Sequence, residues 1–370
     1  MTQSPTGPLV GLRVIELDAI GPVPLAAMLL ADMGCDVLRI TRPPYPGAAW
    51  EDVGGAILHR GRHSLTLDLK SGGGRADLLS LVAGADALIE GYRPGVMERM
   101  GLGPAECLAR NPRLVYGRMT GWGQTGPLAP RAGHDINYIA VAGILHAIGA
   151  AGQPPTVPLN VIGDYGGGAM FLLAGLLAGL LSAGRTGKGQ VVDAAMTDGT
   201  AVMTSLFQAF LHTGQWNDRR EANLLDGFAP FYRCYECADG RHVAVGALEP
   251  PFFAQLLAGL GLPPGRFVQY DQAGWPAMAQ AFAAIFRTRP RDVWAAHFAQ
   301  GDACVSPVLS LAEAPEHPHN RARETFTSLG GVPQPGMAPR FSATPGSVRP
   351  ASGSLDLHTA LTRWALPADR

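Results

Sequence analysis

The chain has 370 residues, 47% of them apolar and only 16% charged, with a formal net charge of -1. That composition excludes a disordered chain, and the near-neutral charge offers no grip on nucleic acid or an anionic membrane. At roughly 150 residues per domain the length fits about two domains, enough to bury a core without disulfide or metal staples.

Five cysteines without regular spacing fit a reducing compartment. The opening MTQSPTGPL has neither the basic nor the apolar stretch of a signal peptide, so a cytoplasmic protein is expected.

In chain order, RVIEL (13–17) reads as a buried strand and PLAAMLLADM (24–33) as a helix stopped by Gly34. DVLRI (36–40) and SLTLDL (64–69) are strands, RADLLSLVA (75–83) a helix, DALIE (86–90) a strand. Short helices follow near 95–110, then the strand RLVYGRM (113–119). This βαβ rhythm predicts a parallel, doubly wound sheet.

The first turn, DAIGPVPLA (18–26), puts prolines where a dinucleotide fingerprint needs glycines. Proline removes amide donors, so neither NAD nor FAD is expected. The apolar run AMFLLAGLLAGLL (169–181) is shorter than the ~20 residues that span a bilayer and reads as a buried helix.

AVMTSLFQAFLHT (201–213) reads as one helix, and GQWNDRREANLLDG (214–227) as a linker. YRCYECADGRHVAVGAL (232–248) is a hairpin around Asp239-Gly240. The stretch 251–314 is predicted mostly helical, and the Pro- and Gly-rich 330–352 a surface excursion. The expected organisation is a large Rossmann-like domain over 1–213, completed by about 330–370, a linker over 214–227 and a small α+β domain over 228–329.

In an open α/β sheet, ligands sit beyond the carboxyl ends of the strands. Arg42, Lys70 and Arg93 each follow a predicted strand end. Three such cations suit a ligand carrying several phosphates, held by side chains rather than by a glycine loop; each is also what a solvated loop carries.

Three stretches could carry chemistry: GHDINY (133–138), NVIGDYGGGAMF (160–171) and GALEPPFF (246–253). His134 is either a hydrogen-bonded histidine at a helix start or an acid–base group. Asp164 is either a helix cap or a catalytic carboxylate followed by glycines that admit a substrate. In the second reading the first-turn amides over 164–168, including those of Tyr165, Gly166 and Gly167, would stabilise an enolate. No metal is expected. His317 and His319 have no third ligand cluster nearby, and Cys234 and Cys237 lie on opposite faces of a strand.

Taken together, GLRVIEL (11–17), AGHDINY (132–138), GDYGGG (163–168), GKGQVVDAAM (187–196), NLLDGFAPFY (223–232), VAVGALEP (243–250), DACVSPVL (302–309) and PRFSATP (339–345) resemble the α-methylacyl-CoA racemase family of the family III CoA-transferase superfamily, nearly end to end. The resemblance implies an α/β fold with a Rossmann-like large domain and a smaller α+β domain, in an interlocked dimer. It implies catalytic roles for His134 and Asp164. Glu249 would hold the second ring nitrogen of the histidine, from the small domain or from a partner chain.

CoA contacts would map to Arg42, to Leu67, Asp68, Leu69 and Lys70, to Arg93, and to Gly133, Asp135, Ile136, Asn137 and Tyr138. The implied partners are an acyl-CoA thioester and a second copy of the chain, with no cofactor beyond the CoA of the substrate, no metal, no membrane and no nucleic acid.

The implied reaction inverts the carbon beside a thioester carbonyl by two-base proton transfer. The alternatives are a CoA-transferase with Asp164 as covalent nucleophile, and a non-catalytic acyl-CoA binder. Family III transferases generally lack a histidine at the His134 position, so GHDINY favours the racemase. The sequence departs from the family at GPVPLA, at Tyr165 where phenylalanine is common, and over 44–56.

Overall fold

The computed structural model describes residues 5–44 and 54–364; the divergent 45–53 fall outside them. The chain forms two compact units. The first is built from the chain up to Ile144, from Pro158–Thr204 and from Pro318 onward; the second from Leu145–Val157 and Ser205–His317.

The first unit holds a seven-stranded parallel sheet. Its strands are β1 (Arg13–Leu17), β2 (Asp36–Thr41), β3 (His63–Thr66), β4 (Ala87–Glu90), β5 (Val115–Thr120) and β6 (Gln190–Ala195). They lie in the order β3-β2-β1-β4-β5-β6, all parallel. The two-residue strand Ser354–Leu355 adds in parallel beyond β3.

β4 and β5 are buried along their whole length, as parallel strands covered on both faces must be. Neighbouring residues feed opposite cores. Val14, Val37 and Ile89 pack under the Pro22–Asp32 and Phe171–Thr186 helices, whereas Ile15, Leu38 and Leu88 face Gly72–Val82 and Leu357–Arg363.

The second unit has the antiparallel sheet β7 (Tyr232–Glu236), β8 (His242–Gly246), β9 (Val305–Pro307), in that order. Three helices, Pro250–Gly259, Trp275–Phe286 and Arg291–Phe298, cover it with an aromatic core that includes Phe231, Tyr235, Trp275, Phe282 and Phe286. The strand at 305–307 lies within a stretch expected to be mostly helical.

Other expectations are corrected by local bonding. The helix expected over 201–213 breaks at Thr204, whose amide and hydroxyl both bond back to the Ala201 carbonyl. Met196–Met203 falls in the first unit and Ser205–His212 in the second, so the chain passes from one to the other at the break. The stretch 214–227 is ordered around buried Asn223, whose side-chain amide donates to the Asn217 and Arg219 carbonyls and to Asp226. Within 330–352, Gln334 and Arg349 are buried: Gln334 accepts from Arg60, and Arg349 donates to the Ala31 carbonyl.

The apolar run at 169–181 belongs to a longer helical stretch, Leu159–Thr186, whose 28 residues are enough by length and composition alone to cross a bilayer. Its Leu172, Leu176, Gly179 and Ala183 face is buried, with Leu172 and Leu176 packed near Gly117 on β5 and Gly179 on Val115.

The stretch opens with a 3-10 turn (Leu159–Val161) and a π-helix (Ile162–Met170). In the π-helix each amide reaches the carbonyl five residues back, so Gly166–Gly168 lie within its bonding rather than in a free first turn. The glycines are there for packing. A Cβ on Gly167 would meet Thr200 Oγ1 at 2.4 Å, and one on Gly199 would meet the Gly167 carbonyl oxygen at 1.9 Å.

Gly199→Ala is therefore expected to lower stability by about 1–3 kcal/mol through overpacking. Gly184→Ala, on an exposed and open face of the Phe171–Thr186 helix, should instead add roughly 0.5–1 kcal/mol. Urea midpoints at unchanged slope measure both; equal shifts would refute the packing role.

Candidate active site

The strand order reverses between β1 and β4, and a cavity of about 330 Å3 opens at the carboxyl ends of β1, β4, β5 and β6. Such a reversal is where doubly wound sheets bind ligands. The turn after β1, the turn Gly91–Pro94 after β4, the segment Arg131–His134, Tyr138 and Asp164 form its wall.

His134 is the last extended residue before the Asp135–Val141 helix. Its amide donates to Asn137 Oδ1 at 3.0 Å and its carbonyl accepts the Asn137 amide at 2.8 Å. Asn137 thus caps the helix and presents His134 at its mouth. Gly133 is held by the Tyr138 hydroxyl, which donates to its carbonyl, and the Tyr138 ring packs edge-on against Trp122 at 4.8 Å. A Cβ on Gly121 would strike that ring at 2.0 Å.

Asp164 lies in the π-helix, half-buried, and lines the same cavity as His134. Its amide donates to Asp135 Oδ1 at 2.7 Å, so the residue after His134 anchors the Asp164 backbone. Its Oδ2 accepts from Asn160 Nδ2 at 3.0 Å. Burial pushes the Asp164 carboxyl above its ordinary range; the Asn160 bond opposes this, Asp135 adds to it and a charge on His134 opposes it.

Gly21 makes room for the group. It has φ +73, and a Cβ there would come within 3.0 Å of Asp164 Oδ2. Asp135 itself is buried, and its Oδ2 has no hydrogen-bond partner among the described residues.

The expected CoA contacts divide into two sets. Arg93, Gly133 and Tyr138 line the cavity, and Arg93 lowers the Tyr138 hydroxyl that burial and Asp164 raise. Arg42 is exposed after β2; its charge bears on Tyr92 in the cavity wall, which burial and Asp18 push up. Asp135 and Asn137 serve the backbone as described, and Ile136 is exposed.

Leu67 is in the core, and Asp68 shapes the turn by accepting the amides of Lys70 and Ser71, leaving Lys70 exposed. The structure contradicts the free first-turn amides expected of Gly166 and Gly167: Gly167 is buried against Thr200 and Gly166 abuts Met203. Glu249 belongs to the second unit, exposed at the start of the Pro250–Gly259 helix. Among the described residues, no cluster of three His, Cys, Asp or Glu could hold a metal ion.

Asn160, Gly21 and Arg131 were not singled out in the sequence. Asn160 stands one helical turn before Asp164, a spacing that could have drawn notice; Arg131, three residues before His134, lines the cavity.

The chain matches the model of CoA-transferase family III over residues 9–359 and belongs to that family. It is 44% identical to the alpha-methylacyl-CoA racemase of Mus musculus over 90% of this chain and 87% of that one. It is 32% identical to the acetyl-CoA:oxalate CoA-transferase of Acetobacter aceti, over 97% and 96%. Among solved structures, a CAIB/BAIF family protein from Brucella suis superposes with a TM-score of 0.82 at 27% identity, over 98% and 100%.

Because Asp164 is held above its ordinary value, the folded chain binds that proton more tightly than the unfolded chain. Stability from this group therefore falls as pH rises from about 4, the unfolded value, through the folded one. Asp164→Asn should unfold at a higher urea concentration than the wild type at neutral pH, with the gap closing near pH 3. A lower midpoint at neutral pH would contradict this.

Proposed function

We propose that this chain is a racemase of 2-methylacyl-CoA thioesters, working by two-base proton transfer through an enolate. One observation carries the reading: an imidazole and a carboxyl with a raised pKa share one cavity at the sheet's reversal point. The likeness to alpha-methylacyl-CoA racemases supports it.

The thioester carbonyl acidifies the neighbouring C–H. Neutral His134 takes that proton, and the bond's electrons move onto the carbonyl oxygen as the enolate forms. Protonated Asp164 then gives its proton to the opposite face of the same carbon, and reversed roles serve the other enantiomer. In water, histidine and aspartate favour imidazolium beside carboxylate. Burial of Asp164 narrows that gap, as a pair acting in both directions requires.

The pair's titration belongs to both groups together. With Gly166–Gly168 within the π-helix and the Asn137 and Tyr138 amides bonded to the His134 carbonyl, the amides of Asp135 and Ile136 at the start of Asp135–Val141 are the donors to the enolate oxygen in this reading. No step calls for a cofactor beyond the substrate's own CoA. Arg93 and Arg42 suit its phosphates. The chain is read as one half of an interlocked dimer, in which Glu249 fixes the histidine tautomer from the small domain or the partner chain.

The test is α-deuterium uptake by each enantiomer of a 2-methylacyl-CoA in D2O with no acceptor acid present. Uptake is expected from both, and His134→Ala and Asp164→Ala should each cut it by at least about a hundredfold. Acyl migration only when a free carboxylic acid is added would instead make Asp164 a nucleophile and the chain a transferase.

A further inference from the structure

The sheet buries several charged pairs, and they are not alike. Glu16 on β1 meets Arg62, yet among the described residues Glu16 Oε1 and Arg62 Nε and Nη2 have no partner. Glu90 ends β4 directly opposite Arg118 on β5, both of them buried, and here every side-chain polar atom of the two is used. Glu90 Oε1 accepts from Arg118 Nε at 2.9 Å, and Glu90 Oε2 accepts the Tyr92 amide at 2.7 Å.

The rest of the guanidinium donates to Glu98 on the Val96–Arg99 helix, Nη1 to Oε1 at 2.7 Å and Nη2 to Oε2 at 3.3 Å. The three side chains thus grip both ends of the turn 91–95. That turn also has little room to shift: a Cβ on Gly91 would come within 3.1 Å of Ala19 and 3.2 Å of Val23. Between the two grips lie Tyr92, Arg93 and Pro94, all in the cavity wall.

A buried ion pair is weak evidence for stability, since apolar residues of like volume often replace it without loss. A fully satisfied polar network rigidifies the groups it joins and specifies their directions. We infer that Glu90, Arg118 and Glu98 form a clamp that holds the β4 turn so that Arg93 meets the phosphates of a CoA thioester. They are positioning residues for the substrate's nucleotide end, and this rests on the acyl-CoA reading above.

The readout is kcat/KM for a 2-methylacyl-CoA divided by that for the matching 2-methylacyl-pantetheine thioester, which lacks the nucleotide and its phosphates. In Glu90→Gln the amide nitrogen brings a donor against Arg118 or the Tyr92 amide and breaks one bond of the clamp. The ratio should fall about tenfold, mostly through KM for the CoA substrate. Glu98→Gln loosens the clamp from its solvent-exposed end and should lower the ratio less. It serves as the second variant should Glu90→Gln not fold.

Arg93→Ala separates the two layers of inference. If Arg93→Ala collapses the ratio while Glu90→Gln and Glu98→Gln leave it at the wild-type value, the clamp alone is refuted. If the wild type itself shows no preference for the CoA substrate, or Arg93→Ala leaves the ratio intact, the CoA reading of Arg93 fails and the clamp fails with it. Equal loss on both substrates in the clamp variants would mean a part in the fold only, and would also overturn the proposal.

Discussion

The Asp164 amide and the Asp135 carboxylate are 2.7 Å apart, and that hydrogen bond joins the two segments that bring His134 and Asp164 to one cavity. One segment begins at His134, the other winds through Asp164, and they are neighbours in space but not in sequence. A hydrogen bond to a charged group contributes about 1.5–3 kcal/mol. Burial is the main influence that raises the Asp164 carboxyl, and the carboxylate that anchors it adds like-charge repulsion.

Around that bond the site balances opposing influences on one carboxyl group. Burial and Asp135 favour the protonated form, while Asn160 and His134 favour the ionised one. In the proposed reaction Asp164 both gives and takes a proton, and such a group needs this balance. The packing that permits it is backbone against backbone: Gly21 clears space for the carboxylate, and Gly167 and Gly199 let two helices touch without side chains between them.

The strands were legible because buried parallel strands read as continuous apolar runs, and β1, β2 and β4 lie within a residue of where RVIEL, DVLRI and DALIE put them. His134 and Asp164 stood out because polar residues beside glycines and apolar runs invite a chemical reading. The glycine triplet misled for the same reason. Its partners, Thr200 and Gly199, are far along the chain, and local sequence cannot tell a glycine that admits a substrate from one that admits a helix.

The break at Thr204 and the burial of Arg349 likewise depend on contacts that no spacing rule encodes. Glu90 and Arg118 read as ordinary strand residues until β4 and β5 are laid side by side.

The first unit is discontinuous, interrupted by the second at Leu145–Val157 and again at Ser205–His317. Its missing pieces arrive last in synthesis: Gln334 bonds to Arg60, Arg349 to the Ala31 carbonyl, and Ser354–Leu355 adds the outermost strand beside β3. On the ribosome the inserted unit has all its residues while the first still lacks its outer strand. Domains fold as units while the chain emerges, so the cavity's own scaffold is completed only after nearly the whole chain has been made, and a nascent chain stalled before residue 330 would carry His134 and Asp164 on an unfinished support.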